Sequence, residues 1–227
     1  MPDAVMLFAA GFGTRMAPLT RNIPKPLIQI AGRSLLEHAL VLADAARVPR
    51  RVVNTHYLGE QIAEAVKGRD VMISHEASQI LDTGGGLKAA LPLLQAPEVF
   101  TMNTDAVWHG PNPLEVAKAA WRPAVMDALL VCVAHDRAVG RLTQGDFLMT
   151  RDGHLSRGPG LVYTGVQILK TDAVSVEPQE VFSLNLIWDR MLASGRLFGV
   201  IYPGTWCDVG HPGGIPLAEN MLRGADV

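Results

Sequence analysis

Cysteine is scarce in this chain, with two residues in 227, Cys132 and Cys207. Cys132 lies inside the apolar run ALLVCVA, where cysteine acts as a small hydrophobic filler. Nothing in the spacing points to a disulfide, so a stapled secreted scaffold is excluded and both thiols are expected reduced. Charge imbalance is also missing. Lys and Arg number 20 against 22 Asp and Glu, a formal net charge of −2 with both signs interspersed. Without a basic block, no nucleic-acid partner is expected. No apolar run approaches the ~20 residues of a membrane span, so no membrane partner is expected either. The opening MPDA lacks the cationic region of an export signal, which puts the expected location in the cytoplasm. The seven histidines are scattered, and none forms an i,i+4 pair or a Cys/His cluster of the kind that binds zinc. Ser183 and Ser194 have no G-x-S-x-G setting, which argues against a serine hydrolase. Repeats, low-complexity tracts and a convincing linker are all absent, so residues 1–227 are expected to form a single domain.

What the chain does have is an alternation of short β-rich runs with longer helical ones, the pattern of an α/β sheet covered by helices. Ala4–Ala10 reads as a buried central strand. Leu35–Ala46 has helical spacing behind an S-x-x-E capping box at Ser34 and Glu37. Further strands are expected at 51–55, 71–75, 99–103, 128–134, 163–169, 197–201 and 207–209. Helices are expected at 59–67, 87–94, 114–121, 184–194 and 215–223. Asp152-Gly153 between β-rich arms is a hairpin signal. Strands alternating with helices imply parallel pairing, and open parallel sheets bind ligands beyond the carboxyl ends of their strands.

Three segments follow such strand ends: GFGTR after Ala10, NTDA after Met102, and CDVG near the end. In the first, Gly11 and Gly13 let the backbone turn and present N–H groups to an anion. Arg15 adds a fork suited to phosphate oxygens, and Lys25, between Pro24 and Pro26, adds a compact cation. A phosphate-binding loop accounts for all four positions together, whereas a glycine turn with two surface cations accounts for each alone. The spacing matches neither G-x-G-x-x-G nor a P-loop, which disfavours a NAD-binding oxidoreductase. Asp105 and Asp208, each after a separate strand, suit a magnesium ion, which takes one or two carboxylates together with phosphates and water.

The stretch AAGFGTRMAPLT followed by PKPLIQIAG resembles the signature of the sugar-phosphate nucleotidyltransferases. With its compact length and LDTGGG, the chain looks most like the N-acetylmuramate-1-phosphate uridylyltransferase type. NTDA, YTGVQIL and WCDVGHP fall in the family's order, so the resemblance spans nearly the whole chain. It implies a Rossmann-like α/β fold with a mixed, mainly parallel central sheet. It also implies an enzyme joining a nucleoside triphosphate, with UTP favoured over GTP, to a sugar 1-phosphate. By that resemblance Ala10, Gly11, Gly13, Thr14 and Arg15 wrap the nucleotide phosphates, with Asn103 beside them, and Lys25 neutralises the reacting phosphate. Glu76–Gly86 lines the base and ribose, with Glu76 and Gln79 as base readers and Gly84 and Gly85 allowing close backbone approach. Asp105 and Asp208 hold Mg²⁺, while Thr164, Gly165 and Asn185 border the sugar. Trp108, Trp188 and Trp206 are candidates for the pocket wall, with core packing the preferred reading for Trp188.

The chain departs from the family at Thr104, where glycine is common, and at Ser34, where proline is common. It also has SRGPG where larger relatives carry a second phosphate-binding lysine, leaving Arg141 or Arg157 to substitute or to serve as solvated charges. The rival readings are a mannose-1-phosphate guanylyltransferase and a nucleotide-sugar-binding regulatory protein. Lacking the long C-terminal extension of many relatives, the chain is expected to be a monomer.

Overall fold

The computed structural model describes residues 1–141 and 143–224. At its centre is the apolar run that opens the chain. Strand β1 (Ala4–Phe8) is buried over its first four residues, as a strand covered on both faces must be. After the glycine-rich turn and three 3₁₀ turns, the short antiparallel pair β2 (Gln29–Ile30) and β3 (Arg33–Ser34) leads into α1 (Leu35–Ala45). The Ser34 hydroxyl caps α1 by accepting the Glu37 backbone N–H at 3.1 Å. The reciprocal half of the capping box gives way to an ion pair between Glu37 and Arg69 at 2.7 Å.

Next come β4 (Arg50–Thr55), α2 (Gly59–Ala65), β5 (Met72–His75), α3 (Asp82–Leu94) and β6 (Glu98–Asn103). The chain continues through β7 (Ala106–His109), α4 (Pro113–Ala120), β8 (Ala128–Val133) and β9 (Ala138–Val139). The expected hairpin is present as β10 (Phe147–Met149) and β11 (Leu155–Arg157). It is followed by β12 (Val162–Lys170), α5 (Asp172–Ser175), α6 (Leu184–Ala193), β13 (Leu197–Ile201), β14 (Thr205–Asp208) and α7 (Gly214–Arg223).

Seven strands form the main sheet in the order β13-β8-β12-β6-β1-β4-β5. Strand β1 pairs in parallel with both β4 and β6, and β4–β5 and β8–β13 are parallel as well. Parallel pairing does not extend throughout, because β12 runs antiparallel to both β6 and β8. The sheet is thus mixed and mainly parallel, flanked by helices in a Rossmann-like arrangement. On one face Val5 and Leu7 pack with Leu36 and Leu40 of α1 and Leu114 of α4. On the other, Ala4 and Met6 pack with Leu87 and Leu94 of α3 and Ile187 of α6. Successive β1 side chains alternate between these faces, as the period of a strand requires. A smaller sheet, β7-β14-β9, packs with α7 through Val107, Cys207 and Ala218.

Two local expectations need correction. Strand β7 is absent from the expected strands, and it is stabilised by pairing with the distant β14. Helix α3 starts at Asp82, not Leu87, so Gly84, Gly85 and Gly86 lie inside it and are buried. A Cβ on Gly84 would sit 2.4 Å from the Phe182 ring, and one on Gly85 would sit 2.2 Å from the Glu180 carbonyl. The glycines let this helix lie against residues 180–182. That tertiary contact outweighs their poor helix propensity.

Candidate active site

The carboxyl ends of β1, β4, β5 and β6 open on one side of the sheet. Two contiguous cavities lie there, of about 350 Å³ and about 310 Å³. Phe8, Arg15, Asp82, Thr83, Asn103 and Asp105 line both. This is the crevice expected next to a central strand whose neighbours lie on opposite sides.

The first cavity is built on the turn after β1. Ala10, Gly11, Gly13, Thr14, Arg15 and Lys25 all line it. Gly13 adopts φ +63°, and a Cβ there would lie 2.9 Å from Cβ of Lys25, so the turn needs both the left-handed conformation and the missing side chain. The Thr20 hydroxyl donates to the Gly13 carbonyl at 2.9 Å, and the Tyr57 hydroxyl donates to the Thr20 and Arg21 carbonyls. These bonds hold the loop from behind while Arg15 remains exposed at its front. Lys25 is nearly buried and pairs with Asp105, Nζ to Oδ2 at 2.8 Å.

The floor comes from β4 and the end of β5. Asn54 accepts the Ala9 N–H at 2.7 Å and donates to Glu76 Oε1 at 2.6 Å. Glu76 Oε2 accepts the Leu81 N–H at 2.8 Å. Both oxygens of this buried carboxylate are thus occupied in tying β4 to the approach of α3, although Glu76 does line the cavity. Gln79 is exposed, and Ile80 takes the lining position nearby. Gly84 and Gly85 do not reach the wall, because their N–H groups donate to the Phe182 carbonyl at 2.9 and 3.0 Å. Asp82 and Thr83, the first two residues of α3, do reach it. Asp82 adopts φ +61°, a region that aspartate tolerates better than most residues, and its carboxylate accepts the Thr83 N–H. Asp82 and Thr83 fall within the expected segment Glu76–Gly86, although neither was named individually, and Asn54 was not singled out from sequence. An asparagine buried at a strand's carboxyl end was the available signal for Asn54.

The second cavity is assembled from farther apart. Thr164 and Gly165 line it where the β12 register shifts against β8, between Tyr163 and Gln167. Such an irregularity re-aims a strand beside a site. The Thr164 hydroxyl is turned inward and donates to the Val131 carbonyl at 2.7 Å. Asn185, near the start of α6, lines the cavity and accepts a hydrogen bond from Arg157 at 2.9 Å. Trp188 combines both of its readings: it lines the cavity, and its indole donates to buried Gln167 at 2.9 Å. Trp206 also lines it, whereas Trp108 packs edge-on against Tyr202 with ring centroids 4.9 Å apart. Arg141 and Arg157 both line this cavity. Asp146, which sequence reading missed, holds Arg141 at 2.9 Å and accepts the Tyr163 N–H at 2.9 Å.

Asp105 and Asp208 are brought together by the small sheet, where β14 pairs with β7, and the Val209 N–H donates to the Asp105 carbonyl at 2.9 Å. Burial pushes the Asp208 carboxyl above its ordinary pKa, and the Asp105 charge adds to the shift. Lys25, Arg141 and Arg15 oppose it. The threonine before Asp105 does not disturb this corner. Thr104 is buried and its hydroxyl donates to the Phe8 carbonyl at 2.7 Å, closing the end of β1. No cluster of three or more His, Cys, Asp or Glu suited to a metal occurs among the described residues. The pair Asp105 and Asp208 nonetheless fits an ion that fills its shell mainly with phosphate and water oxygens. Both cysteines are buried and free, and no described helix is long and apolar enough to cross a membrane.

A glycine-rich anion loop, two cations and two carboxylates beyond the strand ends define a nucleotide-binding α/β protein equipped for phosphate chemistry. Residues 5–137 match the model of the MobA-like NTP transferase domain. Across 99% of its length the chain is 37% identical to the N-acetylmuramate alpha-1-phosphate uridylyltransferase of Caulobacter vibrioides, covering 98% of that protein. It is 30% identical to the enzyme of the same name from Neisseria meningitidis over 90% of the chain and 92% of the relative. HddC from Yersinia pseudotuberculosis, solved in complex with GMP-PN, shares the fold at 22% identity. Its TM-score is 0.79, over 96% of this chain and 99% of that one. The chain belongs to the MobA-like NTP transferase family, among its sugar-phosphate nucleotidyltransferases.

Proposed function

We propose that the chain transfers a uridylyl group from UTP to N-acetylmuramate 1-phosphate, releasing pyrophosphate. The observation that carries this reading is the shared seam. Arg15 and Asp105 line both cavities, so a nucleotide in the first and a sugar phosphate in the second would meet between them. The two N-acetylmuramate alpha-1-phosphate uridylyltransferases at 37% and 30% identity support the choice of sugar and base.

In this reading an oxygen of the sugar phosphate attacks the α-phosphorus, and the bond to the pyrophosphate oxygen breaks in line. Two anions must approach, so the chain's work is alignment and charge neutralisation, with no covalent nucleophile. The amides around Gly11 and Gly13, with Ala10 and Thr14, receive the triphosphate, and Arg15 binds its outer phosphates. Lys25 meets the charge that redistributes at the α-phosphate. It is pre-positioned by Asp105 at 2.8 Å, so little reorganisation is needed. Asp105 and Asp208 would hold Mg²⁺, whose contribution there is neutralising phosphate oxygens. Arg141, clamped by Asp146, would bind the acceptor phosphate in place of the missing second lysine. Asn103, which lines both cavities, lies beside the nucleotide, and Thr164, Gly165 and Asn185 border the sugar. Asp82 and Thr83, together with Glu76, face the base and ribose. We take the protein to act as a cytoplasmic monomer in cell-wall sugar nucleotide synthesis, a setting that suits two reduced thiols.

The test is pyrophosphate release from purified protein with a matrix of nucleoside triphosphates and sugar 1-phosphates. UTP with N-acetylmuramate 1-phosphate is expected to give the highest kcat/KM. A higher value for GTP with mannose 1-phosphate would replace the substrates while keeping the reaction class. No turnover with any pair, alongside retained nucleotide-sugar binding, would favour a regulatory protein.

A further inference from the structure

We propose that Arg157 selects acceptor sugars carrying a carboxylate on the sugar itself, in addition to the phosphate that reacts. This rests on the acceptor reading of the second cavity. N-acetylmuramate differs from N-acetylglucosamine by a lactyl ether that ends in a carboxylate, so a cavity that prefers it needs a cation away from the reacting phosphate.

Arg157 is such a cation. It lines the second cavity from the β10–β11 hairpin, on a different wall from the small sheet that carries Asp208. Arg141 follows Gly140, where an added Cβ would lie 2.7 Å from the Asp208 carbonyl, which puts Arg141 at the reacting end, whereas Arg157 is held on the α6 side of the cavity by Phe147, Trp188, Asn185 and Asp189.

The guanidinium of Arg157 is also held in one orientation. Phe147 is its cross-strand partner, and the charge lies 4.9 Å from the centre of that ring and 5.8 Å from the Trp188 ring. Nη2 donates to Asn185 Oδ1 at 2.9 Å and to Asp189 Oδ1 at 2.8 Å, and Nε donates to the same Asp189 oxygen at 3.2 Å. Nη1 hydrogen-bonds to none of the described residues, which leaves donors for a ligand. The Asp189 side chain is 63% exposed, so solvent screening weakens its hold on the Arg157 charge. A guanidinium fixed by two aromatic rings and an asparagine offers its Nη1 donors to a carboxylate with little further ordering.

The test uses the full chain with saturating UTP and two acceptors, N-acetylmuramate 1-phosphate and N-acetylglucosamine 1-phosphate. The quantity read is the ratio of their kcat/KM values. Wild type is expected to favour the carboxylate-bearing sugar, and Arg157→Gln to lower the ratio about tenfold, as loss of a partly exposed charged hydrogen bond implies. Arg157→Lys, which keeps the charge but not the planar group held by the two rings and Asn185, is expected to give an intermediate ratio. It also supplies the answer if the glutamine variant does not fold. A ratio within twofold of wild type in the folded variants overturns the proposal, even if both activities fall together, because Arg157 would then serve the phosphate or the fold. A wild type without preference for the carboxylate overturns it equally. A wild type inactive with both sugars refutes the acceptor assignment itself.

Discussion

The two cavities are nearly equal in size but are built in different ways. The first rests largely on one continuous loop, from Ala10 to Lys25, braced by Thr20 and Tyr57 and floored by Asn54 and Glu76. The second gathers residues from β9's exit, the β10–β11 hairpin, β12, α6 and β14. A contiguous loop suits a ligand part that is constant, the triphosphate. An assembled wall can change one element at a time, which suits a variable sugar. If the second cavity takes the acceptor as proposed, specificity for it would reside in residues that lie far apart in the chain.

The largest effect is expected where the cavities meet. Asp105→Asn and Asp208→Asn should each reduce turnover by more than about a hundredfold, since even outer-shell partners of a metal cost 10- to 100-fold. Pyrophosphate release across a magnesium titration, with circular dichroism to verify folding, checks this. Near-normal rates at limiting magnesium would separate the carboxylates from the reaction. Next, Lys25→Ala should lower kcat on the order of a hundredfold while changing the KM for UTP much less, as removal of a charge used mainly in the transition state does. A change confined to the KM for UTP would move Lys25 from the reaction to ground-state binding.

A third variant separates the two walls. Gly84→Ala would press a methyl into the Phe182 ring, 2.4 Å away, and Phe182 directly precedes the cavity-lining Ser183–Asn185 segment. Overpacking of this kind costs about 1–3 kcal/mol, read as a lower unfolding midpoint. The KM for the sugar phosphate should rise more than that for UTP. The smallest effect is expected far from both cavities. Asp127 pairs with Arg196 at 2.7 Å and Lys170 at 3.1 Å, tying together the segments that start β8 and β13 and end β12. The hydrogen bond from Arg196 is the main cause holding its carboxyl below the ordinary range, and Lys170 adds to it. This stabilisation is present above the ordinary carboxylate pKa and is lost as pH falls through the lowered folded value. After allowing for solvent screening of this half-buried group, Asp127→Asn should cost about 1 kcal/mol near neutral pH and less in acid, with both KM values unchanged. Equal loss at both pH values, seen in urea melts, would assign its role to shape and not charge.

The same contrast explains what the sequence made legible. Gly11, Gly13, Arg15 and Lys25 lie close together along the chain, so their chemistry could be read as a unit, and the structure does bring them to one cavity. Main-sheet strands and helices followed apolar periodicity to within a few residues, except at α3. There a glycine triplet reads as a loop, because the partner that favours a helix, residues 180–182, is nearly a hundred positions away. Strand β7 was hidden for the same reason, since its pairing with β14 is non-local. The antiparallel course of β12 has no marker within its own apolar residues. In the second cavity, Asp146 looks like a loop residue until its bonds to Arg141 and the Tyr163 amide are seen.

In the proposed reaction a uridine nucleotide and an acidic sugar phosphate meet at the Arg15–Asp105 seam. The most direct measurement is the paired kcat/KM for pyrophosphate release with UTP plus N-acetylmuramate 1-phosphate and with GTP plus mannose 1-phosphate. The first pair is expected to exceed the second. Equal values, or a higher value for the second, would contradict it.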